Sequence, residues 1–268
     1  MLIDINAYVG HWPFKQLQYN NCDDLLKRMN KYGVDISVIS NLNGIFYKNT
    51  QSANRELYSE LKSNRRFINR LIPFAIINPI YAGWKNDFKE SVNKFGMKGL
   101  RLYPKYHDYE ITDPALVELV KMARDHDIPV AFTIRMVDSR QRSWMDIDYV
   151  SGTFKPEWSL KNILPIMRLV PDAKYMILNV ANNIAVPEKD VEVFKNADVL
   201  IDTSGRTLND LSRVLKSHKK ERLAFGTHSP ISDYLTGRLR IESLRENEAD
   251  EQTKELLRSG NASRFLGL

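Results

Sequence analysis

The chain has 268 residues, of which 43% are hydrophobic and 27% charged, and a formal net charge of +6. This length suits one large domain with a substantial core, so we expect a single domain over 1–268. The lysines and arginines are scattered among 33 acids, which argues against a nucleic-acid partner. No apolar run approaches the roughly 20 residues of a membrane span, and the first residues do not form a signal peptide. With one cysteine, Cys22, the composition predicts a cytoplasmic protein without a membrane partner.

Short β-branched runs alternate with longer amphipathic stretches along the whole chain. Strands are predicted at 2–8, 36–41, 70–77, 98–103, 128–135, 174–179, 198–203 and 222–227, and helices at 23–32, 50–63, 84–95, 114–126, 158–169, 188–195, 207–217 and 240–258. This alternation predicts an α/β fold of the (β/α)8 TIM-barrel type. An open doubly wound sheet is the alternative, but no glycine-rich loop follows the first strand. The irregular stretch 136–157 follows the fifth strand and is predicted to be a lid.

The first strand carries polar residues at alternate positions. A strand places alternate side chains on one face, which separates Asp4, Asn6 and Tyr8 from Ile3, Ile5 and Ala7. This opening resembles the Asp-x-His-x-His strand of the amidohydrolase superfamily, in which both histidines bind a divalent metal inside a barrel. Segments 66–79, 98–104, 202–205 and 260–268 resemble, in the same order, the third, fourth and seventh strands and the terminal helix of its amidohydrolase-related branch. The resemblance implies a TIM barrel of the metal-dependent hydrolase type.

The metal-binding positions of that family are all substituted in this chain. They correspond to Asn6, Tyr8, Thr133, Asn179 and His228. Amides, a neutral phenol and one histidine are a poor ligand set for zinc, which prefers imidazole, thiolate and carboxylate. We therefore expect no metal cofactor. The alternative is a divalent metal such as zinc held by His228 and Asn179, or at a displaced site built from His11, His107 or His228.

Polar residues at the carboxyl ends of the strands are predicted to meet in one pocket. The predicted catalytic residues are His228, Tyr8 and Asn179, and the predicted substrate-binding residues are Asn6, His11, Arg101, Tyr103, Thr133, Arg135 and Asp202. Buried guanidiniums at Arg101 and Arg135 imply either an anionic ligand or acidic partners within the protein. For Arg135, the candidate partners are Asp138, Asp4 and Asp202. His228 is a candidate for proton transfer because an unperturbed histidine titrates near ~6.5; the alternative is a hydrogen bond to a loop carbonyl.

Three functions are compatible with these residues. The first is a hydrolase that acts on a small anionic lactone, ester or amide without the usual metal. The second is a binding protein that keeps the pocket but performs no reaction, and the third is an enzyme with a displaced metal site. The sequence determines neither the substrate nor the oligomeric state, and it allows a homo-oligomer.

Overall fold

The computed structural model describes residues 1–136, 158–180, 184–205 and 211–268. Eight parallel strands follow in order: β1 (Ile3–Val9), β2 (Ile36–Asn41), β3 (Leu71–Ile76), β4 (Gly99–Leu102), β5 (Val130–Thr133), β6 (Lys174–Leu178), β7 (Asp198–Asp202) and β8 (Leu223–Ala224). Beyond β8 the chain pairs with β1, where the Ile5 N–H donates to the Phe225 carbonyl at 3.0 Å and the Tyr8 N–H to the Ser229 carbonyl at 2.8 Å. The predicted (β/α)8 TIM barrel is confirmed.

Helices alternate with these strands. They are α1 (Cys22–Tyr32), α2 (Gln51–Ser63), α3 (Arg65–Ile68), α4 (Trp84–Lys89), α5 (Pro104–His107), α6 (Pro114–Asp125), α7 (Leu164–Leu169), α8 (Val191–Asn196), α9 (Leu211–Ser217), α10 (Tyr234–Glu242), α11 (Glu251–Glu255) and α12 (Asn261–Leu266). Short 3-10 turns occupy Leu42–Ile45, Leu160–Asn162, Glu188–Asp190 and Lys220–Arg222, and π-helical turns continue α4 and α11 over Glu90–Lys94 and Leu256–Gly260. None of the described helices is long and apolar enough to cross a membrane. Apart from Met136, the predicted lid at 136–157 lies outside the described residues.

The single helix predicted at 240–258 is wrong. The chain instead ends α10 at Glu242 and begins α11 at Glu251. The break is imposed by a new N-cap, because the side chain of Asp250 accepts a hydrogen bond from the Thr253 N–H at 2.8 Å. A capping aspartate inside a run of helix-forming residues therefore starts a second helix.

The prediction that Asp4, Asn6 and Tyr8 share one face of β1 is also wrong. The pairing register between β1 and β2 shifts between Asp4 and Ala7, as in a β-bulge. The Asp4 carboxylate accepts the Asn6 N–H at 3.0 Å, the kind of local bond that competes with the regular ladder. Asp4 consequently faces Thr227, whose hydroxyl donates to it at 2.5 Å, whereas Asn6 and Tyr8 face the site described below.

The apolar core has an inner and an outer part. An inner cluster draws on most strands and on the terminal helix, and its members include Ile3, Ile5, Val38, Phe74, Met176, Leu200 and Phe265. A larger outer cluster joins the strands to the surrounding helices and includes Ala7 and Val9. Phe265 on α12 packs with the inner cluster, so apolar side chains fill one end of the barrel. The polar side chains at the carboxyl ends of the strands lie at the other end, where TIM barrels place their active sites.

Candidate active site

A buried polar cluster lies at the carboxyl ends of the strands. We call it the mouth cluster, and it consists of Asn6, Tyr8, Arg101, Tyr103, Thr133, Asn179, Asp202 and His228, each at most 4% exposed. The sequence predicted all eight of these residues. Arg135 is only partly buried beside them, and the Ser204 hydroxyl, which the sequence did not single out, also contacts the cluster.

The carboxamide of Asn6 links three of these side chains. Its Nδ2 donates to Asp202 Oδ2 at 2.6 Å and lies 3.1 Å from the Ser204 hydroxyl and 3.4 Å from His228 Nδ1. Ser204 also donates to Asp202 Oδ2, and the other oxygen of Asp202 accepts the Asn179 N–H at 2.8 Å. Asp202 is therefore the centre of an internal hydrogen-bond network, in which both of its oxygens are engaged.

His228 is a neutral imidazole in this environment. Its Nε2 lies 2.8 Å from the Met136 carbonyl, which can only accept, so Nε2 carries the proton and Nδ1 is an acceptor. Burial lowers the pKa of His228 to about 3; the carbonyl of Met136 opposes this shift, and the charges of Arg101 and Arg135 add to it. The pKa of the buried ring is therefore well below the unperturbed value of ~6.5 on which the candidacy for proton transfer was based. The bond to a loop carbonyl, given as the alternative, is present, and proton transfer by His228 stays a prediction.

Two residues of the mouth cluster have left-handed backbone conformations. Asn179 has φ 51° and His228 has φ 61°, at the turns that follow β6 and β8. Such angles cost free energy for most residues, are best tolerated by asparagine, aspartate and histidine, and concentrate at functional sites. The amide of Asn179 also donates to the Arg135 carbonyl at 2.5 Å, which ties the end of β6 to that of β5.

Arg101 is a fully buried guanidinium. Its Nη1 donates to the Ala7 carbonyl at 3.1 Å, and its central carbon lies 4.4 Å from the centre of the Tyr8 ring. Its Nε and Nη2 atoms have no hydrogen-bond partner within the described ranges, and no carboxylate there forms an ion pair with it. The face of an aromatic ring stabilises a cation only partly, so two charged donors remain for a ligand.

Three hydroxyl groups lie near Arg101. Those of Tyr103 and Thr133 are buried without a hydrogen-bond partner in the described part of the chain. The hydroxyl of Tyr8 lies 3.8 Å from the Met136 sulfur, a weak acceptor, and beside the hydroxyls of Tyr103 and Thr133. Burial raises the pKa of Tyr8 against the effect of Arg101, and it raises that of Tyr103 well above its usual range. Both phenols are therefore neutral donors at physiological pH.

Three predicted residues have other surroundings. Arg135 donates from Nη2 to the Gly205 carbonyl at 2.8 Å. His11 is exposed on the loop after β1, outside the mouth cluster. The ring of His107 bonds the Gly44 carbonyl at 3.0 Å and so ties α5 to the 3-10 turn after β2. Burial lowers the pKa of this histidine.

The mouth cluster does not provide a metal site. Nowhere in the described ranges do three His, Cys, Asp or Glu side chains converge in a way that could hold a metal ion. Both oxygens of Asp202 already accept hydrogen bonds from the protein, and both nitrogens of His228 face protein partners. The remaining polar groups are amides, hydroxyls and a guanidinium, which are poor ligands or repel a cation. These residues therefore do not fit a divalent metal.

Comparison with solved structures shows proteins that have the same barrel fold. Similar structures include a candidate amidohydrolase from Staphylococcus aureus, with 19% identity, a TM-score of 0.70 and coverage of 100% of this chain and 99% of that chain. A dihydroxybenzoic acid decarboxylase from Polaromonas with bound manganese has 14% identity, a TM-score of 0.69 and coverage of 100% and 97%. A 4-oxalomesaconate hydratase from Rhodopseudomonas palustris has 16% identity, a TM-score of 0.69 and coverage of 100% and 96%. The chain therefore shares its (β/α)8 barrel fold with these proteins. No protein-family model and no curated protein sequence matches it.

Gly226 is a second feature that the sequence did not single out as functional. A Cβ at this position would lie 2.6 Å from Asp202 Oδ2 and 2.7 Å from Asp202 Cβ. We expect Gly226→Ala to displace Asp202 and lower the free energy of unfolding by about 1–3 kcal/mol, as overpacking does. Urea denaturation measures this change. Gly260→Ala is the control, because its nearest neighbour is a flexible leucine end at 3.1 Å. Equal stabilities of the two variants would contradict the proposed close approach.

Proposed function

We propose that the protein is an enzyme that binds a small carboxylate at the mouth cluster and acts on it without a divalent metal. The observation that carries this proposal is Arg101, which is completely buried and has two unpaired donor atoms and no acidic partner among the described residues. An isolated buried cation is costly, and a guanidinium fits a carboxylate through two parallel hydrogen bonds. A carboxylate ligand would supply both the charge and the acceptors.

The neighbouring phenols suit a reaction in which a carbonyl oxygen gains negative charge. Tyr8 and Tyr103 are neutral donors held in a water-poor site, as in an oxyanion hole. Hydrolysis of a lactone, ester or amide develops such a charge. The solved structures with this fold include a decarboxylase and a hydratase, whose names indicate carboxylic acids and their derivatives. These names support a substrate that carries a carboxylate, but they do not favour the cleavage of one particular bond.

A binding protein without catalytic activity is the second candidate. The observation that favours it is the absence of a ready base in the described part of the site. His228 has its pKa lowered to about 3, and Asp202 is occupied by internal donors. A protein with these groups can hold an anion but has no obvious residue to activate water.

Turnover measured after chelation separates the two candidates. Protein treated with a chelator would be screened with esters, lactones and aromatic or aliphatic acids, with and without added Mn²⁺ or Zn²⁺, beside Arg101→Met and the surface control Arg65→Met. Turnover that survives chelation and is lost only in Arg101→Met supports the enzyme. Saturable binding of an acid without turnover of any substrate favours the binding protein. Turnover that requires added metal contradicts the proposed mode of action.

The unpaired hydroxyl of Tyr103 provides a further test. We expect Tyr103→Phe to weaken binding of the carboxylate by about 5- to 10-fold, because one ligand hydrogen bond is lost. Its stability should stay equal or rise, since the deleted group has no partner in the described protein. Calorimetric titration and thermal unfolding measure the two effects. Tyr234→Phe removes another unpaired buried hydroxyl, on α10, and should leave binding unchanged. A stability loss in Tyr103→Phe with unaltered binding would show that the hydroxyl serves the fold.

A further inference from the structure

A cavity opens at the amino ends of the strands, at the end of the barrel opposite the mouth cluster. It lies where β2, β3 and β6 begin, at Ile36, Leu71 and Lys174, and between α2 and α12. Its volume is about 730 Å³, within the range of cavities that hold small organic ligands. No residue of the mouth cluster lines it. The cavity is therefore separate from the proposed carboxylate site.

Most of the cavity wall is apolar. Ile36, Ile72 and Leu266 line it and are only half-buried where they pack against the inner core cluster. Ile68, at the end of α3, also lines it and is 61% exposed. Covering such side chains with an apolar group removes them from water and is favourable. The wall therefore suits a hydrocarbon chain.

The charged side chains that line the cavity are mostly basic. Among the described residues they are Lys62, Lys98, Lys174 and Arg264, with Asp127 as the one acidic side chain. Asp127 pairs with Lys174 at 2.7 Å. No acidic group of the described chain forms an ion pair with Lys62, Lys98 or Arg264. The cavity thus combines an apolar wall with an excess of positive charge, which is complementary to an anion that has an apolar tail.

We propose that this cavity binds a medium-chain fatty acid, with its tail against the apolar wall and its carboxylate near Lys62 and Lys98. The tail supplies most of the affinity, because exposed ion pairs contribute little. The lysines supply the preference for a negative head group. A cavity of this size holds one such molecule, which favours a free fatty acid over a membrane surface. The inference does not rest on the proposed function, because the two sites lie at opposite ends of the barrel.

A series of amphiphiles tests the inference on the wild-type chain. Titration calorimetry would compare hexanoate, octanoate, decanoate and decyltrimethylammonium below their micelle-forming concentrations. We expect one bound molecule per chain and an affinity that rises about 10-fold for each two added CH2 groups. Decyltrimethylammonium should bind at least about 10-fold more weakly than decanoate, because the lysines repel it. Equal affinity for hexanoate and decanoate, or a preference for the cation, would overturn the inference. Binding to vesicles of anionic phospholipid without binding of decanoate would also overturn it.

Substitutions at the apolar wall locate the tail. Ile68→Gln should weaken decanoate binding by at least about 3-fold, because an exposed part of the wall becomes polar. Leu235→Gln is the matched control, since this leucine is 50% exposed on α10 and does not line the cavity. Equal affinities of the two variants would contradict binding of the tail at this wall.

Substitutions of the lysines locate the head group. Lys62→Gln combined with Lys98→Gln should weaken decanoate binding by about 3- to 10-fold, and the remaining affinity should depend less on salt. Lys121→Gln combined with Lys161→Gln removes the same charge from exposed positions that do not line the cavity, and should leave the affinity unchanged. An equal loss in both double variants would indicate a general effect of net charge and would contradict the assigned head-group site.

Arg101→Met distinguishes the cavity from the mouth cluster. We expect this variant to bind decanoate like the wild type, although it should lose the small carboxylate at the mouth. Loss of decanoate binding in Arg101→Met, with no effect of Ile68→Gln, would place the fatty acid at the mouth and overturn the inference. Failure of decanoate to bind, with small carboxylates still dependent on Arg101, would overturn the inference and leave the proposed function intact.

Discussion

Arg101→Met is expected to make the ligand-free protein more stable and to weaken its binding of a carboxylate strongly. The substitution replaces a fully buried cation that has no acidic partner in the described chain with an apolar side chain of similar length. Replacing buried charged groups with well-packed apolar residues is often neutral or stabilising, here by about 1–4 kcal/mol. Binding of a carboxylate should weaken by at least about 30-fold, the usual loss when one member of a buried charge pair is removed. Urea denaturation and calorimetry measure the two quantities.

This combination distinguishes a binding residue from a structural one. Arg28 is a suitable control, because it is nearly as buried but bonds Ser229 and forms an ion pair with Asp233 at 3.1 Å. Arg28→Met should lower stability and leave ligand affinity unchanged, the reverse of the pattern at Arg101. A large loss of stability in Arg101→Met would indicate that the guanidinium serves the fold and would weaken the proposed anion site.

Stability at acid pH should depend on two buried groups with opposite effects. The pKa of His228 is lowered to about 3 in the folded chain. As the pH drops below ~6.5, the histidine is protonated in the unfolded chain but not in the folded one, so the stability of the folded chain falls. Asp4 has its pKa raised by burial to about 6, so the folded chain binds its proton first. The Asp4 contribution is fully present below ~3.8 and is lost as the pH rises through 6.

Two variants separate these contributions. Between pH 7 and pH 4.5, the free energy of unfolding of His228→Asn should fall by roughly 3 kcal/mol less than that of the wild type. The variant lacks the histidine that, in the unfolded wild type, takes up a proton over the two pH units below ~6.5. The free energy of unfolding of Asp4→Asn should fall by more than that of the wild type over the same range, since the folded variant can no longer gain stability by protonation of the Asp4 carboxyl. Denaturation curves at the two pH values test both signs. Parallel pH profiles for the wild type and His228→Asn would show that the imidazole is not held neutral.

The barrel could be predicted from sequence because its signals are local. Each strand is a short β-branched run, and helix boundaries such as the Asp113 cap before Pro114 and the left-handed Gly33 are where the sequence predicts them. The break between α10 and α11 was missed because Asp250 looks like an ordinary helix-surface residue until its capping bond to Thr253 is seen. The β-bulge after Asp4 was missed for a similar reason, since no residue type requires it.

The residues that meet in the mouth cluster could be predicted from the sequence, but their electrostatics could not. Alignment of strand ends was enough to bring Asn6, Arg101 and His228 to one mouth. The protonation state of His228 depends on the Met136 carbonyl and on complete burial, neither of which the order of residues reveals. The unpaired donors of Arg101 and the contact of Gly226 with Asp202 likewise depend on packing between distant strands.

A crystal structure of the chelator-treated protein grown with a bound carboxylic acid tests the central claim most directly. The acid that binds best in calorimetry would be used. We predict that one of its carboxylate oxygens lies within about 3 Å of Arg101 Nε or Nη2, with the Tyr103 hydroxyl in hydrogen-bonding range and no metal ion in the mouth cluster. A protein carboxylate paired with Arg101 in that place, or a metal ion coordinated by Asp202 and His228, would contradict the account.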